Sequence, residues 1–237
     1  MFLSAPSERP ANLLPSLSNF DPADGFCNEL IEALPRLKLL VDNYEELRDE
    51  FRAVFSQLET VNWGADDEND TGYFGEKKLA NHDGYWKNIP LYGQGKEFED
   101  SKIDGGNVSV GGTFAEHKHN CELLPKLVST ARKANCVKRV GINVLEPGKT
   151  IKPHFDRDPD PPWGYLIRGL FGLDVGDEDG GSCHLALLNQ CTKKIEVAEF
   201  KNKEFMFFWG RNRHAVYNTL KRPRSVLVID HEVRTSF

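Results

Sequence analysis

The chain has 237 residues, a formal net charge of −6, and apolar (39%) and charged (28%) fractions ordinary for a globular protein, so it can build a sizeable core in one large domain or two small ones. The acidic balance argues against a nucleic-acid-binding face, which carries a basic stripe. No apolar run approaches the length that spans a bilayer, which argues against a membrane helix.

Met1–Pro6 lack a charged region followed by an apolar core, so no signal peptide is expected. Cys27, Cys121, Cys136, Cys183 and Cys191 are odd in number and show no C-x-x-C spacing. They read as reduced thiols in a cytoplasmic protein rather than a disulfide framework. Residues 1–25, with several prolines, serines and asparagines among scattered leucines, predict an extended arm. From Asn28 to about Leu58 the pattern turns helical: Leu40, Tyr44, Leu47, Phe51, Val54, Phe55 and Leu58 recur at three- and four-residue steps. Pro35 is expected to split this into a short helix and a longer one. Such a stripe can serve a partner, but packing against the protein's own sheet is the reading adopted.

Residues 62–84 read as loop, and the acidic cluster Asp66–Asp70 lacks the glycine and terminal glutamate of a calcium loop. Tyr85–Tyr92 reads as a strand, and the long glycine-rich connection 93–112 as a candidate lid over a substrate. His117-x-His119 is a close histidine pair, but its polar setting before a helix over 123–134 favours the protein surface over a metal site. From Lys138 onward, short strands alternate with turns: 138–145, 150–156, 165–175, 182–188, 194–199, 204–209, 214–218 and 225–231. This rhythm predicts a cupin-like jelly roll, a double-stranded β-helix with the N-terminal helices against one sheet. Glu204–Trp209 is apolar on both faces, as a strand covered by those helices needs to be. The expected organisation is one domain, with the helical support over 26–60 and the jelly-roll core over 85–237.

The chemistry concentrates in Thr150–Asp156, which reads Thr-Ile-Lys-Pro-His-Phe-Asp after the turn Glu146-Pro147-Gly148. On an extended strand His154 and Asp156 project to one side and Phe155 to the other. His214 stands far downstream in Arg213-His214-Ala215-Val216-Tyr217-Asn218. Two histidines and one carboxylate on one face of a metal, with the other face open, is the arrangement of non-haem Fe(II) oxygenases. The plainer alternative for His154 and Asp156 is a buried histidine hydrogen-bonded to a neighbouring carboxylate. His184 and His231 lie on predicted strands without an acid two residues away, and read as ordinary barrel residues.

Ten residues after His214, Arg224 opens the apolar strand Ser225–Asp230, where a guanidinium can hold a carboxylate bidentately. Arg222 is its rival, with Pro223 between them; a solvated surface arginine is the alternative for both. Arg168 sits in the otherwise apolar Tyr165–Leu173 and needs a partner. A co-substrate or substrate carboxylate is one candidate, and an ion pair with Asp174 or Glu232 the other. Asp158 and Asp160 lie in the proline-rich loop directly after Asp156, and with Arg168 inside the barrel they suggest a pocket that orients an amino acid by opposite charges.

His154-x-Asp156, His214 and Arg224 in this order resemble the 2-oxoglutarate- and Fe(II)-dependent oxygenases. Within them the chain is most similar to the aspartyl/asparaginyl β-hydroxylase group, over roughly Trp86 to Glu232. Glu146-Pro147-Gly148, Arg168-Gly169-Leu170-Phe171-Gly172-Leu173, Phe207-Phe208-Trp209 and His214-Ala215-Val216-Tyr217-Asn218 carry the likeness. Some members of the group have glycine where this chain has Asp156. The resemblance implies a dioxygenase with Fe(II) on His154, Asp156 and His214. It also implies 2-oxoglutarate as co-substrate, with Arg224 on its distal carboxylate and Arg168 as a further co-substrate-binding residue, and O₂ as oxidant. The implied substrate is an amino acid, an amino-acid residue in a peptide or protein, or a small natural product. A non-catalytic cupin-type protein that binds a metal or small acid is the alternative.

Overall fold

A computed structural model of the chain describes residues 21, 23–62, 85–94, 114–134, 136, 139–156, 164–176 and 180–234. Most of the expected arm over 1–25, the acidic cluster 66–70, nearly all of the candidate lid, and Asp158 and Asp160 lie outside the described residues.

The helical segment begins with α1 (Leu30–Ala33) and a 3₁₀ turn at Pro35–Leu37, the break predicted at Pro35. α2 (Lys38–Asp42) and α3 (Tyr44–Val54) follow, separated by a second break that the periodicity hides. There Asn43 turns its side-chain amide onto the Leu39 carbonyl (2.7 Å), offering the backbone an alternative to continuing the helix. Leu40, Tyr44, Leu47, Phe51 and Leu58 are buried as the stripe requires. Phe55 departs from it: it falls in a closing 3₁₀ turn, stands 37% exposed, and meets the core only through the edge of Phe51.

β1 (Val61–Asn62), β2 (Trp86–Gln94) and β3 (Phe114–Glu116) precede two short helices, α4 (Lys118–Leu123) and α5 (Pro125–Lys133). The single helix expected over 123–134 thus starts afresh at Pro125, a residue suited to a first helical turn. Eight strands then form the core: β4 (Arg139–Leu145), β5 (Thr150–His154), β6 (Gly164–Asp174), β7 (Cys183–Leu188), β8 (Ile195–Glu199), β9 (Phe205–Trp209), β10 (His214–Asn218) and β11 (Arg224–Arg234). The turn joining β4 to β5 needs a left-handed residue, and Gly148 supplies it at φ +67°.

Every strand pair is antiparallel. One sheet runs β1-β2-β4-β11-β6-β9, with β3 also on β2, and the other runs β5-β10-β7-β8. Numbering β4 to β11 from one to eight, the orders are 1-8-3-6 and 2-7-4-5. Apart from the hairpin β7–β8, the chain passes back and forth between the sheets, which is the jelly roll expected from the sequence.

The larger sheet is apolar on both faces. Its outer face, with Ile142, Ile167, Phe171, Phe207, Leu227 and Ile229, packs under the helices, where Tyr44 meets Phe171 edge-on at 6.1 Å. Its inner face, with Leu170, Met206, Phe208, Val226 and Val228, packs onto Ile151, Leu185, Leu187 and Val216 of the smaller sheet. β9 therefore serves two cores at once, as its continuous apolar run predicts. No helix among the described residues is long and apolar enough to cross a membrane.

Candidate metal centre

His154 ends β5 and His214 begins β10, and the two are paired directly across those strands. The register shifts between His214 and Val216, a local irregularity at the metal-facing end of the pair. The imidazole centroids are 4.3 Å apart. Each Nδ1 donates to the carbonyl two residues before it, Lys152 for His154 and Asn212 for His214, both at 2.8 Å. A carbonyl can only accept, so both Nδ1 atoms carry a proton, which leaves Nε2 as the ring atom that would serve a metal. Burial, reinforced by His154 alongside, holds the His214 imidazole well below its ordinary pKa, so it is neutral at pH 7.

Asp156 completes the group, but not as a strand residue. β5 ends at His154, Phe155 turns 46% exposed, and the Asp156 amide donates to the Gly210 carbonyl (2.8 Å). The ladder thus ends early, but the alternation expected over 150–156 holds: His154 and Asp156 are buried on one side and Phe155 is exposed on the other. Ligand atoms of His154, Asp156 and His214 lie within 4.8 Å of one another, and all three residues are buried. The donor set fits a divalent first-row metal: two imidazoles and one carboxylate, with no fourth donor in the group among the described residues.

Three residues outside the predicted ligand set shape this centre. A Cβ at Gly210 would stand 2.7 Å from Asp156 Oδ2, so the site needs glycine there for space. Phe208 presents its ring edge-on to His214 at 4.8 Å, and Trp86 packs at 5.7 Å from His154. Phe208 belonged to a recognisable aromatic run; nothing in the sequence marked Gly210.

Arg224 opens β11 inside the barrel, fully buried, with its guanidinium carbon 4.8 Å from the centre of the Phe200 ring and its side chain against the Cys183 thiol. Burial lowers its pKa, opposed by the Cys183 contact. Among the described residues no carboxylate pairs with it. The rival Arg222 precedes the strand, and its guanidinium lies where a side chain at Gly176 would stand. Arg168 does have acidic partners, and they are neither Asp174 nor Glu232. Its Nε and Nη2 donate to Asp230 (2.9 and 3.1 Å), and its Nη1 donates to Asp156 Oδ2 (2.5 Å). Asp174 instead pairs with Arg52 of α3 at 2.7 Å. Asp156, Arg168 and Asp230, with Leu166, Trp209, Gly210 and Arg211, line a recess beside the histidines.

The other described histidines stay apart from the centre. His184 contacts Ser182 Oγ at 3.3 Å, and His231 is buried near Phe207 on the helix-covered side. His117 corrects the surface reading: it is buried, caps α4 by accepting from the Asn120 amide, and places Nε2 3.0 Å from Glu59. His119 points away to the Gln57 carbonyl at 3.1 Å, so the pair does not share a metal. All five cysteines are free thiols, four of them buried and Cys191 exposed.

A sequence profile of the aspartyl/asparaginyl beta-hydroxylase family matches residues 41–233. The chain belongs to that family. This is a family of hydroxylases, and the His-Asp-His cluster lies within the matched region. No curated protein matches the chain by sequence. Among solved structures, it is similar to the cupin domain of Drosophila melanogaster CENP-C at 10% identity and TM-score 0.30, over 39% of this chain and 59% of that one. It is similar also to a Bacillus subtilis oxalate decarboxylase OxdC variant at 11% identity and TM-score 0.30, over 41% of this chain and 22% of that one. The chain thus spans less than two thirds of the solved structures it matches. At such scores the likeness carries no argument, and the jelly-roll assignment rests on the strand order.

Proposed function

We propose that this hydroxylase is an Fe(II)- and 2-oxoglutarate-dependent dioxygenase. Its substrate would be an amino acid, an amino-acid residue in a peptide or protein, or a related small molecule. His154, Asp156 and His214 would hold the iron, and Arg224 the distal carboxylate of 2-oxoglutarate. Bound together, iron, keto acid and O₂ supply the oxidising chemistry, in which oxidative decarboxylation of the keto acid is coupled to hydroxylation of a C–H bond.

The observation that carries the reading is Arg224. A buried guanidinium is expensive without an anion, and a thiol and a phenyl ring compensate it only in part. It faces the same barrel interior as the histidines. Cys183, which it touches, pairs with Asn218, four residues along β10 from His214, or about 13 Å at the rise of a strand. An acid bound there at one end extends toward the metal in a single orientation. The bidentate fork of arginine suits a carboxylate better than a lysine would. Nδ1-anchored histidines keep their rings fixed, and Phe208 and Trp86 exclude water from them.

Anaerobic addition of Fe(II) and 2-oxoglutarate tests this against a binder without turnover. A weak visible charge-transfer band is expected only when the keto acid chelates the iron. Admission of air is then expected to release succinate, increased by the true substrate within a panel of amino acids and peptides. Absence of both band and succinate refutes the proposal.

A further inference from the structure

Across the inner face of the larger sheet, four residues on adjacent strands stand directly opposite one another: Arg139 on β4, Asp230 on β11, Arg168 on β6 and Phe208 on β9. Three of them form a chain of ion pairs. Arg139 Nε lies 3.3 Å from Asp230 Oδ2, and Asp230 receives one whole edge of the Arg168 guanidinium through both its oxygens. The remaining tip of Arg168 reaches Asp156 Oδ2. Asp230 is 1% exposed, so it is held in a setting where an ion pair is little screened.

Asp156 needs such a partner. It lies beyond the end of β5, so no sheet ladder fixes its direction, and the Gly210 carbonyl anchors only its backbone. Carboxylates swing readily about their terminal bonds. Arg168 holds Oδ2, and that contact sets the direction in which the carboxylate faces the histidines. Its own direction is set by the two-point grip of Asp230 and, behind that, by Arg139.

We propose that Asp230 is a positioning residue for the metal site: acting through Arg168, it presents one oxygen of Asp156 to the space shared with His154 and His214. This rests on the metal-ligand reading given above. It assigns Arg168 to the ligand carboxylate and leaves the anchoring of the keto acid to Arg224. Arg168, Asp156, Asp230 and Arg139 sum to zero charge, so the row can be assembled before any metal arrives.

The test is titration of the apoprotein with Co(II), followed by calorimetry and by the absorption of the bound ion, with thermal melts of each variant alongside. Asp230→Asn keeps the shape and removes the charge, and is expected to weaken Co(II) binding by about tenfold to a hundredfold, the usual cost of losing a residue behind a ligand. In an Asp156→Ala background the same change is expected to cost nothing further, because its route to the metal is gone. Should Asp230→Asn fold poorly, Arg168→Lys, which cannot bridge two carboxylates with a planar fork, is expected to show the same loss. Unchanged Co(II) affinity in a folded variant overturns the proposal, as does an equal loss in the Asp156→Ala background. A variant weakened only toward 2-oxoglutarate overturns it too, and returns Arg168 to the co-substrate. His214→Ala separates the two readings. If it retains Co(II), the ligand assignment itself fails; if it loses Co(II) while Asp230→Asn does not, only the positioning role fails.

Discussion

Arg224 lies against Phe200 and Cys183, a cation facing a ring and a thiol in the interior of a barrel. A protein selected for stability alone would place a hydrophobe there. Arg224→Met is therefore expected to raise the melting temperature, by about 1 kcal/mol or more of stability, since apolar replacements of buried charges often stabilise. The same variant is expected to lose 2-oxoglutarate binding. Arg224→Lys should weaken that binding by roughly 1.5–3 kcal/mol while leaving metal affinity nearly unchanged. Isothermal titration on the metal-loaded protein and a melt of the apoprotein check both halves. Full retention of 2-oxoglutarate affinity in Arg224→Met would mean that the cation serves something else.

Each histidine of the centre supplies one of three donors. His154→Ala and His214→Ala are expected to remain folded and to lose metal binding by more than the tenfold to hundredfold typical of outer residues. Asp156→Ala is expected to be milder, because some relatives carry glycine at this position. Co(II) titration ranks the three variants, and equal affinity for Asp156→Ala and the parent protein removes Asp156 from the ligand set.

Gly210→Ala adds a single methyl group 2.7 Å from Asp156 Oδ2. The carboxylate, the Arg168 contact or the turn has to shift. Metal affinity is expected to fall roughly tenfold, and stability by about 1–3 kcal/mol, as for other overpacked sites. A variant that binds metal as the parent does would show that this corner yields easily.

His231 is buried beside Phe207, and its imidazole pKa is pushed down to about 4, mainly by burial. Between pH 6.5 and about 4 the unfolded chain binds a proton there that the folded protein refuses. Stability from this group is therefore present above pH 6.5 and is lost as pH falls toward 4, by about 3 kcal/mol in all. Urea unfolding at steps from pH 7 to 4 checks this by comparison with His231→Gln. The parent protein should lose more stability over that window than the variant, and parallel curves count against the shift.

The strands and the two histidines could be read from the sequence because their signals are local: alternation, turn residues, and a histidine at a strand end. Asp156 was legible as a ligand type and in its side of the chain, but not in what holds it, since Gly210 and Arg168 come from distant parts of the sequence. For Arg168 the need for a partner was plain, yet the partner lies 62 residues away on β11. His117 looked exposed among polar neighbours, yet it is buried and meets Glu59 from before the first strands of the barrel. Asn43 and Phe55 show the same limit in the helices, where a side-chain bond to Leu39 and a 3₁₀ turn overrule a regular stripe.

The pairing of His154 with His214 spans sixty residues of chain, and β6 to β9 are laid down between them. No short segment of the polypeptide contains both donors, so loop closure keeps them apart until the intervening strands are in place. Sheets built from such distant pairings form slowly. A half-made chain leaving the ribosome therefore offers a passing ion only scattered single ligands. For the proposed centre, metal choice would therefore be deferred to the finished barrel, and the ion acquired would be set by what is available where folding ends rather than where synthesis begins.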